Sequence, residues 1–281
     1  MSVLNKKTIV ITGASRGIGR EIALAAAKRG ANIVIAAKSA EPHPKLPGTI
    51  FTVAEEVEAL GAKALPFQLD VRDHAQVFEL MQKTADTFGG IDIIINNAGA
   101  ISLTNVENTR PNLFDRMQSI NARAVYLTAH AALPWLRKSE HAHILSLSPP
   151  LNMDPRWFKA HGPYTLSKYG MTMLSIGMAE EFREHGIAVN CLWPRTIIAT
   201  AAIEFALMGK EAFRQCRTPA IMADAAVAIL EQPTSFTGNA LLDEQALEKV
   251  GVTDLEQYRY DSSYQGPLGA DLFLDDCLWS Q

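Results

Sequence analysis

Tyr164 and Lys168 stand four residues apart in the run Tyr164-Thr165-Leu166-Ser167-Lys168. On a helix both side chains leave the same face, one turn from each other. An unperturbed phenol ionises near ~10, too high for a base at neutral pH. A neighbouring ammonium favours the phenolate and lowers that value. Such a pair can pass a proton to or from a substrate oxygen. The same spacing also occurs on solvated helix faces, so its meaning depends on what the rest of the chain places around it.

A β-branched run, Thr8 to Thr12, leads into Gly13-Ala14-Ser15-Arg16-Gly17-Ile18-Gly19. A helical pattern over 20–29 follows, closed by Gly30, and then a second apolar run from Asn32 to Ala37. Strand, glycine-rich turn, helix and strand make a βαβ unit. The glycines permit a tight turn and let the backbone approach a pyrophosphate, while the helix N-terminus turns unpaired N–H groups and partial positive charge toward it. The spacing is Gly-x-x-x-Gly-x-Gly, and dinucleotide binding by Gly13, Ser15, Arg16, Gly17, Ile18 and Gly19 is the expectation.

The end of the second strand discriminates between cofactors. A carboxylate there would hold the ribose 2′-hydroxyl of NAD and repel a 2′-phosphate. This chain has Ala37 followed by Lys38, with Arg16 as a second cation. NADP(H) is therefore expected in preference to NAD(H), with a solvated loop lysine as the bland reading of Lys38.

Residues 39–52 read as an inserted loop, rich in proline and small residues. A helix from Glu55 to Leu60 and a third strand from Lys63 to Asp70 come next. Asp70 and Val71 lie at that strand's C-terminal end, where an open α/β sheet lines its ligand crevice. Asp70 would bond the adenine amino group or cap the helix that begins near Asp73. A helix over 74–88 and a fourth strand over 91–95 lead into Asn96-Asn97-Ala98-Gly99, whose small residues admit a ligand and whose amides can knit strands. Pro111 to Lys138 reads as a long helical region with a possible kink at Asn121. Residues 142–148 make a fifth strand, 149–163 a loop, 164–184 a helix, 187–193 a sixth strand and 239–243 a final one. Strands alternating with helices predict an α/β fold: a single Rossmann-type, doubly wound parallel sheet flanked by helices.

Composition limits the function classes. The 281 residues are 48% hydrophobic and 20% charged, with a net charge of −4 and no Lys/Arg run. Nucleic-acid binding has little electrostatic support. Cys191, Cys216 and Cys277 are far apart and read as free thiols. No metal is assigned, because the seven histidines and the cysteines lack ligand spacing. No signal-peptide shape or bilayer-length apolar run occurs, so a cytoplasmic protein without a membrane partner is expected.

Thr12-Gly13-x-x-x-Gly17-x-Gly19, Asn96-Asn97-Ala98-Gly99, Asn121 and Tyr164-x-x-x-Lys168 stand here in the order found in the short-chain dehydrogenase/reductase family, and the chain resembles that family from about Leu4 to Glu244. The stretches AISLT, ILSLSPP and SFTGN are similar to a branch whose eukaryotic members carry a C-terminal sterol-carrier domain; no such domain is expected within these 281 residues. The resemblance implies roles. Tyr164 would be the general acid/base, Lys168 would bind the nicotinamide ribose and lower the phenol pKa, and Asn121 would hold a proton-relay water. Asn97, Ala98 and Gly99 would lie along the cofactor, and Ile197 would meet the nicotinamide carboxamide through its backbone. A homodimer or homotetramer is implied as well.

Two departures accompany the resemblance. The family's substrate-polarising serine falls at Leu151 by count, or at Pro149 when the strand ILSLS is aligned; Ser148 is the nearest candidate, with a strand-end serine bonded to backbone as the bland reading. The usual Pro-Gly after the sixth strand is Pro194-Arg195. His161, Trp157 and Phe158 are candidates for a substrate pocket or for loop anchors, and 201–217 occupies the place of a substrate lid. Residues 1–244 are expected to form the dinucleotide-binding and catalytic domain. Residues 245–281, which include Tyr258, Tyr260, Tyr264, Phe273 and Trp279, would be an extension packed on that domain, over the substrate mouth, or on a neighbouring subunit. The expected function is an NADP(H)-dependent alcohol/carbonyl oxidoreductase acting on a moderately apolar small molecule. Enoyl reduction and a cofactor-binding redox sensor or interaction protein with little turnover are the alternatives.

Overall fold

The computed structural model describes residues 2–275; Cys277 and Trp279 lie outside them. Seven strands form one sheet: β1 (Thr8–Thr12), β2 (Asn32–Ala37), β3 (Ala64–Gln68), β4 (Ile93–Asn96), β5 (Ala142–Ser146), β6 (Ile187–Trp193) and β7 (Ala240–Leu242). Their spatial order is β3-β2-β1-β4-β5-β6-β7, and every pairing is parallel. Pro66, which cannot donate to a ladder, sits on the edge strand β3. The order reverses between β1 and β4, and the crevice beyond those two strand ends is where such sheets bind ligands.

Eight helices cover the sheet: α1 (Gly17–Ala27), α2 (Ile50–Ala59), α3 (His74–Phe88), α4 (Pro111–Ile120), α5 (Ala122–Leu136), α6 (Pro155–Glu181), α7 (Ala220–Leu230) and α8 (Asp243–Glu248). Strand side chains alternate between faces. Ile9, Ile11, Ile33 and Ile35 pack with α1, α7 and α8 on one side, and Val10, Val34 and Ile94 pack with α3, α5 and α6 on the other.

Two boundaries differ from the sequence expectation, each for a local reason, and the kink expected at Asn121 is present. Helix α2 begins at Ile50, inside the expected loop, because Thr49 and Thr52 cap each other: Thr52 N–H donates to Thr49 Oγ1 at 3.1 Å and Thr49 N–H to Thr52 Oγ1 at 2.9 Å. This is a capping box without the usual glutamate or glutamine. The long helical region breaks in two at Asn121, whose backbone leaves helical geometry. The expected loop before Tyr164 is helical from Pro155, where Asp154 accepts from Arg156 N–H at 2.9 Å. That helix bends at His161, which has φ −154°, three residues before the tyrosine.

Beyond β6 the chain makes two short helical turns, Ile203–Leu207 and Lys210–Gln215, before α7. The C-terminal segment returns across this region. Thr218 N–H donates to Tyr258 O and Ile197 N–H to Gly269 O, and Ala270 bridges Thr196 in antiparallel fashion. No described helix is long and apolar enough to cross a membrane.

Candidate active site

The glycine turn is held by close backbone approach. Gly13 has φ +68°, and a Cβ there would lie 2.8 Å from Ala98 Cα; at Gly19 a Cβ would lie 2.4 Å from Asn97 Nδ2. Asn97 Nδ2 donates to the carbonyls of Thr12 (2.9 Å) and Gly13 (3.0 Å), and Thr12 Oγ1 accepts from Asn97 and Ala98 N–H. The turn after β1 is thereby locked to the end of β4. The first turn of α1 has neither a side-chain cap nor an acidic residue, so its N–H groups suit an anion. These residues fit a dinucleotide's pyrophosphate: small where it must approach, donor-rich where it is charged.

At the adenosine end, Ser15 and Ala37 are buried. The Arg16 guanidinium donates to Ser39 Oγ (3.1 Å) and to the carbonyls of Pro47 and Gly48, so the inserted loop folds back on the glycine turn. Lys38 Nζ lies 3.1 Å from Asp70 Oδ2. Asp70 also binds the Arg72 guanidinium, which holds its carboxyl well below the usual carboxylate range. The helix-capping alternative for Asp70 does not hold. Asp73 caps α3, accepting from Ala75 and Gln76 N–H, while Asp70 is committed to its two cations. Val71 is a buried core residue.

At the other end of the crevice lies a cavity of about 260 Å³. Tyr164, Lys168, Asn121, Asn97, Gly99 and Ile18 line it, with Trp193, Ile198, Ile203, Leu207 and Asp271. Its walls are mainly apolar, and Ile203 and Leu207 belong to the segment expected as a lid. Asn121 accepts from Ala100 N–H at 2.8 Å and donates to Ala100 O and Ser167 Oγ. The broken helix is therefore tied both to the β4 loop and to α6.

The structure corrects three expectations here. First, the pKa of the Tyr164 phenol lies above its ordinary value, not below it. The Lys168 ammonium donates to Leu147 O at 2.6 Å and sits 4.9 Å from the Trp193 ring centre; burial, and then Asp271, push the phenol up. Burial likewise lowers Lys168 to about 8. Second, Ser148 does not face the cavity. It is wholly buried on the Cys191 side, where it lowers a thiol pKa that burial raises more strongly. Third, Ile197 has no free backbone N–H to offer: it donates to Gly269 O, and its carbonyl already accepts from Arg217 N–H, while Ile198 lines the cavity instead.

The remaining candidates divide. Trp157 is fully buried against Phe273, and His161 lies buried beside both; they anchor the bent helix and do not line the cavity. Phe158 is partly exposed, edge-on to Tyr169. Pro194, not Arg195, lines the cavity. Arg195 N–H donates to Asp243 Oδ1 at 2.9 Å. Among the described residues no group of His, Cys, Asp and Glu could hold a metal.

Sequence reading missed Asp271, Trp193, Ser167 and Asp243. Asp271 was the findable one, a lone acid inside the otherwise uncharged run Leu268 to Leu274. The segment carrying it is docked on the site: Trp193 Nε1–H donates to Leu272 O at 3.1 Å, and the Phe273 ring stacks on Tyr164 with centres 6.2 Å apart.

The fold agrees with the comparisons. The short chain dehydrogenase family matches residues 7–206. A crystal structure from Xanthomonas campestris superposes with TM-score 0.93 at 49% identity, covering 97% of this chain and 99% of its own. A short chain dehydrogenase from Mycobacterium thermoresistibile superposes with TM-score 0.91 at 47% identity, covering 97% and 96%. The chain belongs to the short-chain dehydrogenase/reductase family of NAD(P)-dependent oxidoreductases. Among curated proteins, hydroxysteroid dehydrogenase-like protein 2 of Xenopus tropicalis is 56% identical over 96% of this chain. The chain spans 64% of that relative's length.

Proposed function

We propose that this chain interconverts an alcohol and a carbonyl on a moderately apolar small molecule, using NADP(H) in preference to NAD(H). The observation that carries the reading is the joint lining of one apolar-walled cavity by Tyr164, Lys168 and Asn121, next to the glycine turn. NADP(H), when bound, supplies or accepts the hydride. Gly13, Gly17 and Gly19 would admit its pyrophosphate, and Asn97 to Gly99 would run beside it. Lys38 and Arg16 would meet the 2′-phosphate, Lys38 by leaving or sharing Asp70.

Tyr164 holds the proton. With its pKa raised by burial, it is a phenol at neutral pH and suits the acid role, protonation of a carbonyl oxygen during reduction. Alcohol oxidation needs the phenolate, which a movement of Lys168 from Leu147 O toward the phenol would favour. The buried walls exclude water and suit an apolar substrate body.

A carbonyl and alcohol panel with NADPH and NADP tests the reading, together with Tyr164→Phe. Turnover should fall by roughly 10²- to 10⁴-fold in the variant while cofactor affinity stays within about threefold. The inward burial of Ser148 favours a second reading, a cofactor-binding protein with little turnover. Tight NADPH binding by the wild type with no turnover on any substrate of the panel would establish that reading instead.

A further inference from the structure

Asp271 is the acidic group of the cavity, and it comes from outside the strand-and-helix framework. Its backbone N–H donates to Arg195 O at 3.1 Å, and its Oδ1 accepts from Leu272 N–H at 2.7 Å. Its other oxygen, Oδ2, is the one that Leu272 N–H does not engage. The side chain shares the cavity wall with Tyr164 and Lys168. The place of the family's substrate-polarising serine falls at Leu151 by count or at Pro149 by strand alignment, and Ser148 is buried and does not line the cavity.

We propose that Asp271 makes the substrate-oxygen contact which Ser148 does not, its protonated Oδ2 donating a hydrogen bond to the carbonyl that Tyr164 protonates. This rests on reading the cavity as a carbonyl/alcohol site. No proton leaves Asp271. During reduction the carbonyl carbon takes the hydride, the oxygen takes the Tyr164 proton, and the Asp271 hydrogen bond steadies the charge that develops on that oxygen.

The surroundings support a neutral acid. Burial pushes Asp271 up to about 7, with the Asp243 carboxyl adding to the rise and the Lys168 ammonium opposing it. Tyr164 on α6 and Cys216 after the lid segment also feel its charge. Asp243 in turn faces Arg217 and Glu244, which form an ion pair. Lys168 and Asp243 are thus the other groups whose titration could imitate that of Asp271, and both are kept intact in the test.

The probe is isobutyramide, a carbonyl mimic that hydride does not reduce, titrated calorimetrically into the protein–NADPH complex between pH 5.5 and 8.5. Wild-type affinity should be greatest at low pH and fall roughly 30-fold between pH 6 and pH 8.5, following the loss of the protonated acid. Asp271→Asn keeps a donor that does not titrate, so its binding should be flat across the range and within about fivefold of wild type at pH 6. Asp271→Ala should bind roughly 10- to 100-fold more weakly at pH 6. A flat wild-type profile or no amide binding at all overturns the proposal. So does an Asp271→Asn profile that still follows the wild type. Tyr164→Phe is the separate arm and should keep the pH-dependent amide binding while losing turnover. Turnover that persists there removes the acid–base role of Tyr164 and leaves the Asp271 contact standing.

Discussion

The two rims of the crevice are built differently. The cofactor rim joins the turn after β1 to the end of β4 through backbone approach and fixed hydrogen bonds from Thr12 and Asn97. The substrate rim is assembled from the end of β5, a bent helix, a lid segment and a C-terminal strap that brings Leu272 and Phe273 onto Trp193 and Tyr164. The first rim admits little change, because main chain meets main chain. The second is closed by side chains: Ser148 does not line it, whereas Asp271, from a segment far along the chain, does. On the proposed function, cofactor binding and substrate recognition should therefore respond separately to substitution.

Substitutions can break that separation or sharpen it. Gly19→Val should have the largest effect. Its Cβ would meet Asn97 Nδ2 at 2.4 Å and Gly13 O at 2.8 Å, so NADPH affinity by calorimetry should fall by more than about 100-fold or the fold should be lost. Near-normal binding would show that the turn is not a close-packed cradle. Phe273→Ala should cost about 3 kcal/mol in a denaturant titration, because the ring is buried among Trp157, Tyr169 and Trp193. NADPH affinity should change little while turnover drops; equal losses in both would tie the rims together. Lys38→Ala should weaken NADPH roughly five- to tenfold and leave NADH unaffected, and an equal change for both cofactors would make Lys38 a mere loop cation.

The smallest effect is electrostatic. Asp70 has a lower pKa in the fold than in the unfolded chain, chiefly through Arg72, so its stabilisation is complete above the ordinary carboxylate range and is lost as pH falls through the folded value. Arg72 and Lys38 are well exposed, so solvent screening keeps the contribution below about 1 kcal/mol. Asp70→Asn should be slightly less stable at pH 7, and the gap should begin to narrow below about pH 4 and go on narrowing as pH falls toward the folded value. A gap that does not narrow at all between about pH 4 and pH 2 would assign it to packing.

Legibility followed the same division. The glycine turn, Asn97 and the parallel sheet could be read because each is written in neighbouring residues of fixed type: Gly13 needs positive φ, and β1 and β2 need uninterrupted apolar runs. The start of α2 was missed because Thr49 and Thr52 cap it with two hydroxyls in a stretch otherwise resembling loop. Ser148 and Ile197 were misplaced because spacing tells how far along a strand a residue lies, not which groups it will already have satisfied.

The order of strands and helices, the phosphate-suited turn and the pairing of Tyr164 with Lys168 follow from local chemistry, since a one-turn spacing and a missing Cβ act wherever the chain goes. What the phenol's proton does was decided only in three dimensions. Burial raises the phenol's pKa, while the Lys168 ammonium is drawn to Leu147 O and the Trp193 ring. The acid in the cavity wall was likewise placed by folding, because only a docked strap can carry Asp271 into a cavity formed by residues far from it in sequence.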